Sequence, residues 1–297
     1  MDGSGGVSRL FAFGLGFSAQ ELAARLAGRG FEIAGTARDE SNLARLAARG
    51  YEMTRFVGEA GNHDVTRLLR GTTHIVHSIP PGLDGDPMLA HYRDQIATTG
   101  TLQWIGYLST VGVYGDQEGR WVDETTPPKP NSDRTEARVE AEAAWLRLGD
   151  EIGVPTHVFR LAGIYGPGRS AFDKLIAGTA RRVKKDGQVF SRIHVEDIAS
   201  VLEASMARPN AGAIYNVADD EPAAPDAVVA YAAELLGVDP PPEVHFDDAE
   251  LSPMARSFYE GSRRIGNARI KSELGVKLRY PTYREGLRAL LEKQSAP

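Results

Sequence analysis

The residues with the clearest chemical meaning form a glycine turn near the amino terminus: Gly14, Leu15, Gly16, Phe17, Ser18 and Ala19. The turn follows a short apolar run, Leu10–Phe13, and precedes a helical pattern from Gln20 to Ala27. In a strand–turn–helix unit of the form G-x-G-x-x-A, the helix N-terminus offers unpaired N–H groups and a partial positive charge to a pyrophosphate. The alternative interpretation is an ordinary glycine turn before a helix.

The elements that would position this turn alternate between strands and helices, which is typical of a parallel sheet with right-handed crossovers. Ligands of such sheets bind outside the carboxyl ends of the strands. Five predicted strand ends carry suitable turns: Gly14–Ala19, Thr36–Arg38, Ser78–Pro81, Ser109–Gly115 and Leu161–Gly168. Their coincidence favours a dinucleotide site over the ordinary turn.

The end of the second predicted strand indicates which dinucleotide would bind. In NAD-binding domains an acidic residue about 20 positions beyond the glycines accepts from the ribose 2′-OH. Here the strand ends in Thr36, Ala37 and Arg38, and Asp39 lies one residue beyond the position expected for the acidic residue. The planar, permanently charged fork of Arg38 suits a 2′-phosphate. We therefore favour NADP over NAD, although Arg38 and Asp39 also fit a surface pair that caps the next helix.

These observations predict an α/β protein with a Rossmann doubly wound parallel sheet, helices on both faces and a smaller C-terminal substrate lobe. Residues 1–165 would form the NADP-binding domain, with strands from residues 189–217 returning to it. Residues 166–297 would mainly cover the substrate and interleave with the Rossmann core. A long polar loop from Thr110 to about Asp133 precedes a strong helix, Thr135–Leu148, and loops of this length are usually functional.

The composition excludes several other classes of protein. The chain has no cysteine, so disulfides, thiolate catalysis and cysteine metal sites are ruled out, and its seven histidines show no metal-ligand spacing. A net charge of -6 leaves no basic surplus for nucleic acid. No apolar stretch has the length of a membrane span, and Met1–Ser8 lacks the pattern of a signal peptide. We expect a cytoplasmic monomer or homodimer that binds a small-molecule substrate, with no nucleic acid, membrane or metal partner.

Six further segments, in this order, resemble the atypical and extended short-chain dehydrogenases/reductases, near the NAD-dependent epimerase/dehydratase group. They are Tyr107–Asp116, Trp121–Pro130, Phe159–Arg169, Arg192–Ser200, Ile214–Pro222 and Glu273–Leu287. The resemblance covers nearly the whole chain. It implies a nicotinamide cofactor and a sugar nucleotide or another small polar substrate.

The resemblance also implies a catalytic Ser or Thr, together with a Tyr and a Lys spaced Y-x-x-x-K on the helix after the long loop. Thr110 takes the Ser/Thr place, Arg138 the Lys place and Arg134 the Tyr place. A guanidinium stays protonated at any working pH, so Arg134 cannot replace a phenol as general acid or base. Arg138 can still bond ribose hydroxyls or a phosphate.

Three interpretations of this altered site stay open. Another group near the nicotinamide replaces the phenol (Tyr114, Tyr165, His77 or Asp116), the substrate brings its own acidity, or the protein binds NADP without turnover. Tyr165 also fits a residue that shapes the cofactor loop, Tyr114 a packing residue, and His77 a half-buried structural histidine. The first hypothesis is thus an NADP-binding oxidoreductase or epimerase/dehydratase-like enzyme with a degenerate active site. The second is a non-catalytic NADP-binding or sensing protein.

The expected site has two sets of residues. The catalytic candidates are Thr110, Tyr114, Tyr165 and Arg138. The expected cofactor contacts are Gly14, Gly16, Phe17, Ser18, Thr36, Arg38, His77, Ser78, Ile79, Pro80, Ser109, Arg138, Leu161, Gly163 and Ile164.

Overall fold

A computed structural model of the chain describes residues 7–58 and 62–295. Residues 1–6, on which the signal-peptide argument partly rests, lie outside this range. The strands are β1 (Arg9–Phe13), β2 (Glu32–Ala37), β3 (Glu52–Arg55), β4 (His74–His77), β5 (Trp104–Thr110), β6 (Trp121–Val122), β7 (Thr156–Leu161), β8 (Gly163–Tyr165), β9 (Arg182–Lys184), β10 (Arg192–His194), β11 (Ile214–Val217), β12 (Glu243–His245) and β13 (Arg264–Ile265). The helices are α1 (Phe17–Ala27), α2 (Glu40–Ala47), α3 (His63–Leu69), α4 (Pro87–Ala97), α5 (Asp133–Ile152), α6 (Ala171–Ile176), α7 (Val195–Ala207), α8 (Pro225–Leu236), α9 (Pro253–Phe258), α10 (Ala268–Ser272) and α11 (Tyr283–Ser295).

Seven strands form one sheet in the order β11-β7-β5-β4-β1-β2-β3. The pairs β1–β2, β1–β4, β2–β3 and β4–β5 are parallel. The strand order reverses between β1 and β4, and this switch point is where open α/β sheets bind their ligands. The predicted α/β fold with a doubly wound parallel sheet is therefore confirmed.

The chain divides into two compact units. The first, called the amino-terminal unit here, contains the residues up to Thr110 together with Ser132–Arg160 and Ala199–Tyr215. The second, the carboxyl-terminal unit, contains Val111–Asn131, Leu161–Ile198 and the residues from Asn216 onward. Three two-stranded pairs, β8–β10, β9–β12 and β6–β13, belong to the carboxyl-terminal unit.

Each unit has its own apolar core. In the amino-terminal unit, the core includes aromatic rings from β1, α4, β5 and α5: Phe13, Tyr92, Tyr107 and Trp145. Strands β1 and β4 are buried almost throughout, as expected of strands covered on both faces. In the carboxyl-terminal unit, Tyr165, Phe172 and Tyr283 pack with the apolar residues of α8 and α11. Burial of these rings is the main favourable contribution to folding of each unit.

Element boundaries differ from the sequence prediction at a few places. Helix α1 begins at Phe17 rather than Gln20 because Gly16 already serves as its N-cap. The sequence also predicts a short strand near Gln188–Arg192, but β10 begins only at Arg192. Before it, the Gln188 N–H donates to the Lys185 carbonyl in a turn, and Phe190 forms an isolated bridge with Ala223. The two-residue strands β6 and β13 were not predicted, because two residues carry no periodicity.

Candidate functional site

The glycine turn joins the end of β1 to the start of α1. Gly14 has a φ of 79°, in the left-handed region that favours glycine, and its N–H donates to Thr36 Oγ1 over 2.8 Å. The Leu15 N–H donates to the Thr36 carbonyl over 2.8 Å. Helix α1 starts after Gly16 with no acidic residue in its first turn. The N-terminus of α1 therefore carries a partial positive charge with no acidic side chain of its own first turn beside it, which suits an anionic ligand.

The residues that follow β4 pack against the same turn. Ser78 Oγ donates to the Gly14 carbonyl over 2.5 Å. A Cβ added to Gly14 would lie 2.8 Å from Ile79 Cγ1, so a larger residue cannot occupy this position unless the Ile79 side chain moves. A Cβ added to Gly16 would instead meet nothing closer than 4.0 Å beyond its chain neighbours. The structure thus brings Gly14, Thr36, Ser78 and Ile79 together and leaves open space at exposed Gly16.

Two guanidinium groups lie where β2 and β3 end. Arg38 is exposed, and Arg55 Nε donates to the Arg38 carbonyl over 3.2 Å. Asp39 is the N-cap of α2, and its Oδ1 accepts from the Asn42 N–H and from Ser41 Oγ, each over 2.8 Å. These bonds, the Asn42 bond above all, lower the pKa of Asp39. The acidic residue at this strand end is therefore engaged in capping, while the basic residue faces solvent.

Helix α5 fixes the end of β5 through Arg138, the residue at the family's Lys place. Arg138 Nη1 donates to Tyr107 Oη over 3.2 Å and to the Leu108 carbonyl over 3.1 Å. Tyr107 is fully buried, and burial raises the pKa of its phenol despite the nearby Arg138 charge. Arg138 therefore contacts β5 just before Thr110, which ends the strand and is half-buried.

A second contact from α5 to β5 contains a buried ion pair. Ser109 Oγ donates to Glu142 Oε1 over 2.5 Å, and Arg160 Nη2 donates to Glu142 Oε2 over 2.8 Å. The Glu142 and Arg160 side chains are 4% and 3% exposed. Ser109 thus has a structural partner, which does not preclude contact between its backbone and a cofactor.

His77, an expected cofactor contact, lies inside the core. Its Nε2 is 2.7 Å from Asp86 Oδ2, and both side chains are buried. Burial alone would raise the pKa of Asp86, but the charge of His77 and hydrogen bonds from His77 and Trp145 outweigh it, so this pKa lies below its usual value. His77 is fully buried, so its side chain is not available to contact a ligand.

Two further candidates, Tyr114 and Asp116, belong to the carboxyl-terminal unit. Tyr114 is fully buried, and its hydroxyl donates to Asn216 Oδ1 over 2.8 Å. Asn216 in turn donates its N–H to Glu124 Oε1 over 2.7 Å. Asp116 is exposed and accepts from the Ser262 N–H over 2.8 Å, a bond that lowers the pKa of Asp116. Both candidates therefore have partners that organise their own loops.

Four further candidates lie in the carboxyl-terminal unit, on and beside β8: Tyr165, Leu161, Gly163 and Ile164. Tyr165 is 8% exposed, packs edge-to-face on His194 and lies against Gly286 of α11. Burial raises the pKa of its phenol. Leu161 is buried, Ile164 is half-buried and Gly163 is exposed. Among these residues, Gly163 and Ile164 are the ones with surface available to a ligand.

Several residues that organise the site were not singled out by the sequence analysis: Asp86, Trp145, Glu142 and Arg160. Asp86 carries a recognisable signal, since an Asp before a Pro is typical of a helix N-cap. Its bond to His77 crosses a loop and has no signature in the sequence. Glu142 lies four residues after Arg138 on α5, so its position facing β5 follows from helical periodicity once Arg138 is placed there. Its partner Arg160 could not be inferred.

The fold and the glycine turn define a class of protein, the Rossmann-fold proteins that bind nucleotide cofactors. Residues 96–218 match the model of the NAD dependent epimerase/dehydratase family. Protein YeeZ of Escherichia coli (strain K12) is 29% identical over 289 residues, which cover 90% of this chain and 94% of YeeZ. Residues 96–218 thus resemble the NAD dependent epimerase/dehydratase family, and over nearly its whole length the chain is a homologue of YeeZ.

Two solved structures extend the comparison. A functionally unknown conserved protein from Silicibacter pomeroyi is 52% identical with a TM-score of 0.88, covering 97% of this chain and 99% of its own. The dTDP-glucose 4,6-dehydratase of Bacillus anthracis, solved in complex with NAD, is 19% identical with a TM-score of 0.77 and covers 98% and 97%. At 19% identity, the similarity to the dehydratase concerns the fold alone.

Two classes of site are not found in the described ranges. No group of three or more His, Asp or Glu side chains there is arranged to hold a metal ion. None of the helices in these ranges is both long enough and apolar enough to span a membrane.

Proposed function

We propose that this protein is an NADP-dependent oxidoreductase or epimerase-like enzyme that acts on a small polar substrate. The observation that carries the proposal is the arrangement at the carboxyl ends of β1, β2 and β4. There the N-terminus of α1, which has no acidic residue in its first turn, lies beside the Gly14 turn, and the exposed Arg38 precedes an Asp39 that caps α2. These residues fit a dinucleotide with a 2′-phosphate. When bound, NADP would supply a hydride acceptor or donor.

Different residues of the chain would bind different parts of the cofactor. The N-terminus of α1 would bind the pyrophosphate. Arg38 would bind the 2′-phosphate through charge-assisted hydrogen bonds. The side chain of Arg55 donates to the Arg38 carbonyl and also pairs with Glu40. Exposed Pro80 and half-buried Ile79 would offer apolar surface beyond the glycine turn.

The catalytic residues are altered from the family pattern. Thr110 keeps a hydroxyl at the end of β5, and Arg138 is bonded to Tyr107 and Leu108. Exposed Arg134 stands at the Tyr place and cannot exchange a proton at working pH. Proton transfer would then depend on the substrate's own acidity or on solvent, with Thr110 orienting the reacting oxygen. This site favours substrates that need little general acid or base assistance.

Cofactor preference is tested by titration of NADP and NAD against the wild type, Arg38→Ala and Arg49→Ala. Arg49 is the matched control, an exposed arginine beyond the other end of α2. Because Arg38→Ala removes charge-assisted bonds, it should raise the dissociation constant of NADP about 10-fold or more and leave that of NAD little changed. Arg49→Ala should bind both as the wild type does. Equal losses of NADP and NAD in Arg38→Ala would contradict the 2′-phosphate assignment.

Turnover is tested by following nicotinamide absorbance with a panel of sugar nucleotides and small carbonyl compounds. Sugar nucleotides come first because a structurally similar protein is a dTDP-glucose dehydratase. A substrate-dependent change that Thr110→Val abolishes supports the enzyme proposal. Epimerisation leaves no net change in the cofactor, so product analysis by chromatography accompanies the absorbance assay.

A second candidate function is a non-catalytic NADP-binding or sensing protein of the same fold. It is favoured by the burial of every phenol and imidazole offered as a replacement for the missing Tyr. Tyr114 bonds to Asn216, His77 bonds to Asp86, and Tyr165 packs within its own core. Tight NADP binding without turnover of any substrate in the panel would favour this function.

A further inference from the structure

The buried pair His77–Asp86 joins the two ends of the loop that follows β4. His77 is the last residue of β4, and Asp86 is the N-cap of α4. The two side chains are 0% and 2% exposed, and His77 Nε2 lies 2.7 Å from Asp86 Oδ2. The loop between them, residues 78–85, contains Ser78, Ile79 and Pro80, three of the expected cofactor contacts.

Asp86 fixes two other elements with the same carboxylate. Its Oδ1 accepts from the Met88 and Leu89 N–H groups at 2.9 and 3.2 Å, which caps α4. Its Oδ2 accepts from Trp145 Nε1 of α5 over 3.1 Å. One carboxylate therefore sets the positions of the loop end, the start of α4 and the indole of α5.

Packing alone does not explain an imidazole at position 77. The ring lies among Phe13, Tyr107 and Trp145, at centroid distances of 5.8, 5.3 and 4.9 Å. His77 Nδ1 is buried and has no hydrogen-bond partner in the described structure. A buried polar atom without a partner is destabilising, and a phenyl ring would fill this cage without that cost. The gain that offsets the cost is the bond to Asp86.

The loop closed by this pair contacts the glycine turn. Ser78 Oγ donates to the Gly14 carbonyl over 2.5 Å, and Ile79 Cγ1 limits the space beside Gly14. Within the loop, Gly82 and Gly85 exchange backbone hydrogen bonds of 2.9 and 3.2 Å. A shift of the loop ends would therefore alter both the loop surface and the Gly14 turn.

We propose that the His77–Asp86 pair is a positioning element that holds residues 78–85 against the Gly14 turn in the conformation that accepts the dinucleotide. His77 and Asp86 do not touch the cofactor through their side chains. They reduce the ordering that binding would otherwise require, since a preformed site loses less conformational entropy on binding. This inference rests on the proposed cofactor function, and its first readout is independent of any cofactor.

The test compares Asp86→Ala, Asp86→Asn, His77→Gln and a matched control, His157→Gln. His157 is a fully buried histidine of the same unit, near the amino end of β7 and close to the Trp104 indole. The first readout is amide hydrogen exchange in the full-length protein without cofactor. In Asp86→Ala, Gly82 and Gly85 should exchange faster by a larger factor than the core strands, and His77→Gln should show the same pattern with the α4 cap retained.

The second readout is NADP affinity. Asp86→Ala and His77→Gln should weaken NADP about 10-fold through lost preorganisation. Asn caps helices well, but its amide N–H₂ replaces the Oδ2 that accepts from Trp145 and contacts His77, so Asp86→Asn should retain the α4 cap and still weaken NADP binding. His157→Gln should lower the stability of the fold but leave the NADP dissociation constant and loop exchange unchanged.

Two results would overturn the inference. One is Asp86→Ala with loop exchange no faster than the core and NADP affinity unchanged. The other is a loss of NADP affinity in His157→Gln as large as that in Asp86→Ala. Such a result would mean that both substitutions act through the general stability of the fold. If the wild type binds neither NADP nor NAD, the proposed function fails, while the exchange readout still decides whether the pair holds the loop.

Discussion

The two edges of the sheet in the amino-terminal unit differ in how they bury titratable groups. At the carboxyl edge, where the strands end, His77 is paired with Asp86 and Arg160 with Glu142, and these side chains are at most 4% exposed. At the amino edge, the buried histidine His157 lies near two N–H donors, Trp104 Nε1 at 3.1 Å and Asn210 N at 2.9 Å. Burial lowers the pKa of His157 to about 4.

This difference indicates where the fold maintains buried charge. Burying a charge is unfavourable unless a partner compensates it. The carboxyl edge provides such partners at two places, and both lie beside expected cofactor residues, Ser78 and Ser109. At the amino edge His157 is neutral at pH 7 and acts as a packing residue. The two pairs at the carboxyl edge are at most 4% exposed, whereas the ion pairs of Arg9 at the amino edge use the half-exposed carboxylates of Glu32 and Glu52.

The largest expected effect comes from breaking the ion pair at the carboxyl edge. Glu142→Ala leaves the Arg160 guanidinium buried without its carboxylate, so the free energy of unfolding should fall by about 3–5 kcal/mol. Glu142→Gln, which keeps an acceptor for Ser109 and Arg160, should cost less. Urea unfolding followed by circular dichroism measures both. A loss below about 1 kcal/mol in Glu142→Ala, the range of a surface pair, would show that the charge is not truly buried.

The second prediction concerns pH and tests the amino edge. Because the pKa of His157 is about 4 in the folded state and about 6.5 when unfolded, only the unfolded state binds the proton between these values. Stability should therefore fall as pH drops from about 6.5 to about 4, by about 3 kcal/mol in total from this residue. In His157→Gln, stability measured by urea unfolding across this range should fall less steeply. Identical slopes in the wild type and the variant would contradict a neutral buried His157.

The smallest expected effect comes from the half-buried contact of α5 with β5. Arg138→Ala removes the donor to Tyr107 Oη and the Leu108 carbonyl, which should cost about 1–3 kcal/mol of unfolding free energy. The control Arg134→Ala, exposed on the first turn of the same helix, should change stability by less than about 0.5 kcal/mol. Thermal unfolding measures both variants. Equal losses of unfolding free energy in Arg138→Ala and Arg134→Ala would argue against a specific role of Arg138 at this edge.

The sheet of this fold could be predicted well because its signals are local. The glycines at positions 14 and 16, the apolar strands and their spacing predict β1, α1 and the parallel sheet without knowledge of distant contacts. The engagement of Asp39 as a helix cap was also foreseen as an alternative, since a cap depends on residues three positions apart. Cofactor preference and substrate stay predictions.

The buried pairs could not be predicted for an equally physical reason. His77 and Asp86 are joined across a loop, and Glu142 and Arg160 lie on different elements, so no periodicity connects them. The place of His77 at a strand end predicts a cofactor contact. Whether its side chain faces a ligand or the core depends on the packing of Phe13, Tyr107 and Trp145, which only the assembled fold defines.

The central claim is that the carboxyl edge of this sheet forms an NADP site. Calorimetric titration of the wild-type protein with NADP and with NAD, in one buffer, tests it most directly. We predict saturable 1:1 binding of NADP that is about 10-fold or more tighter than that of NAD, as charge-assisted bonds to a 2′-phosphate would provide. Binding of NAD with equal or higher affinity, or heat from neither ligand, would contradict the claim.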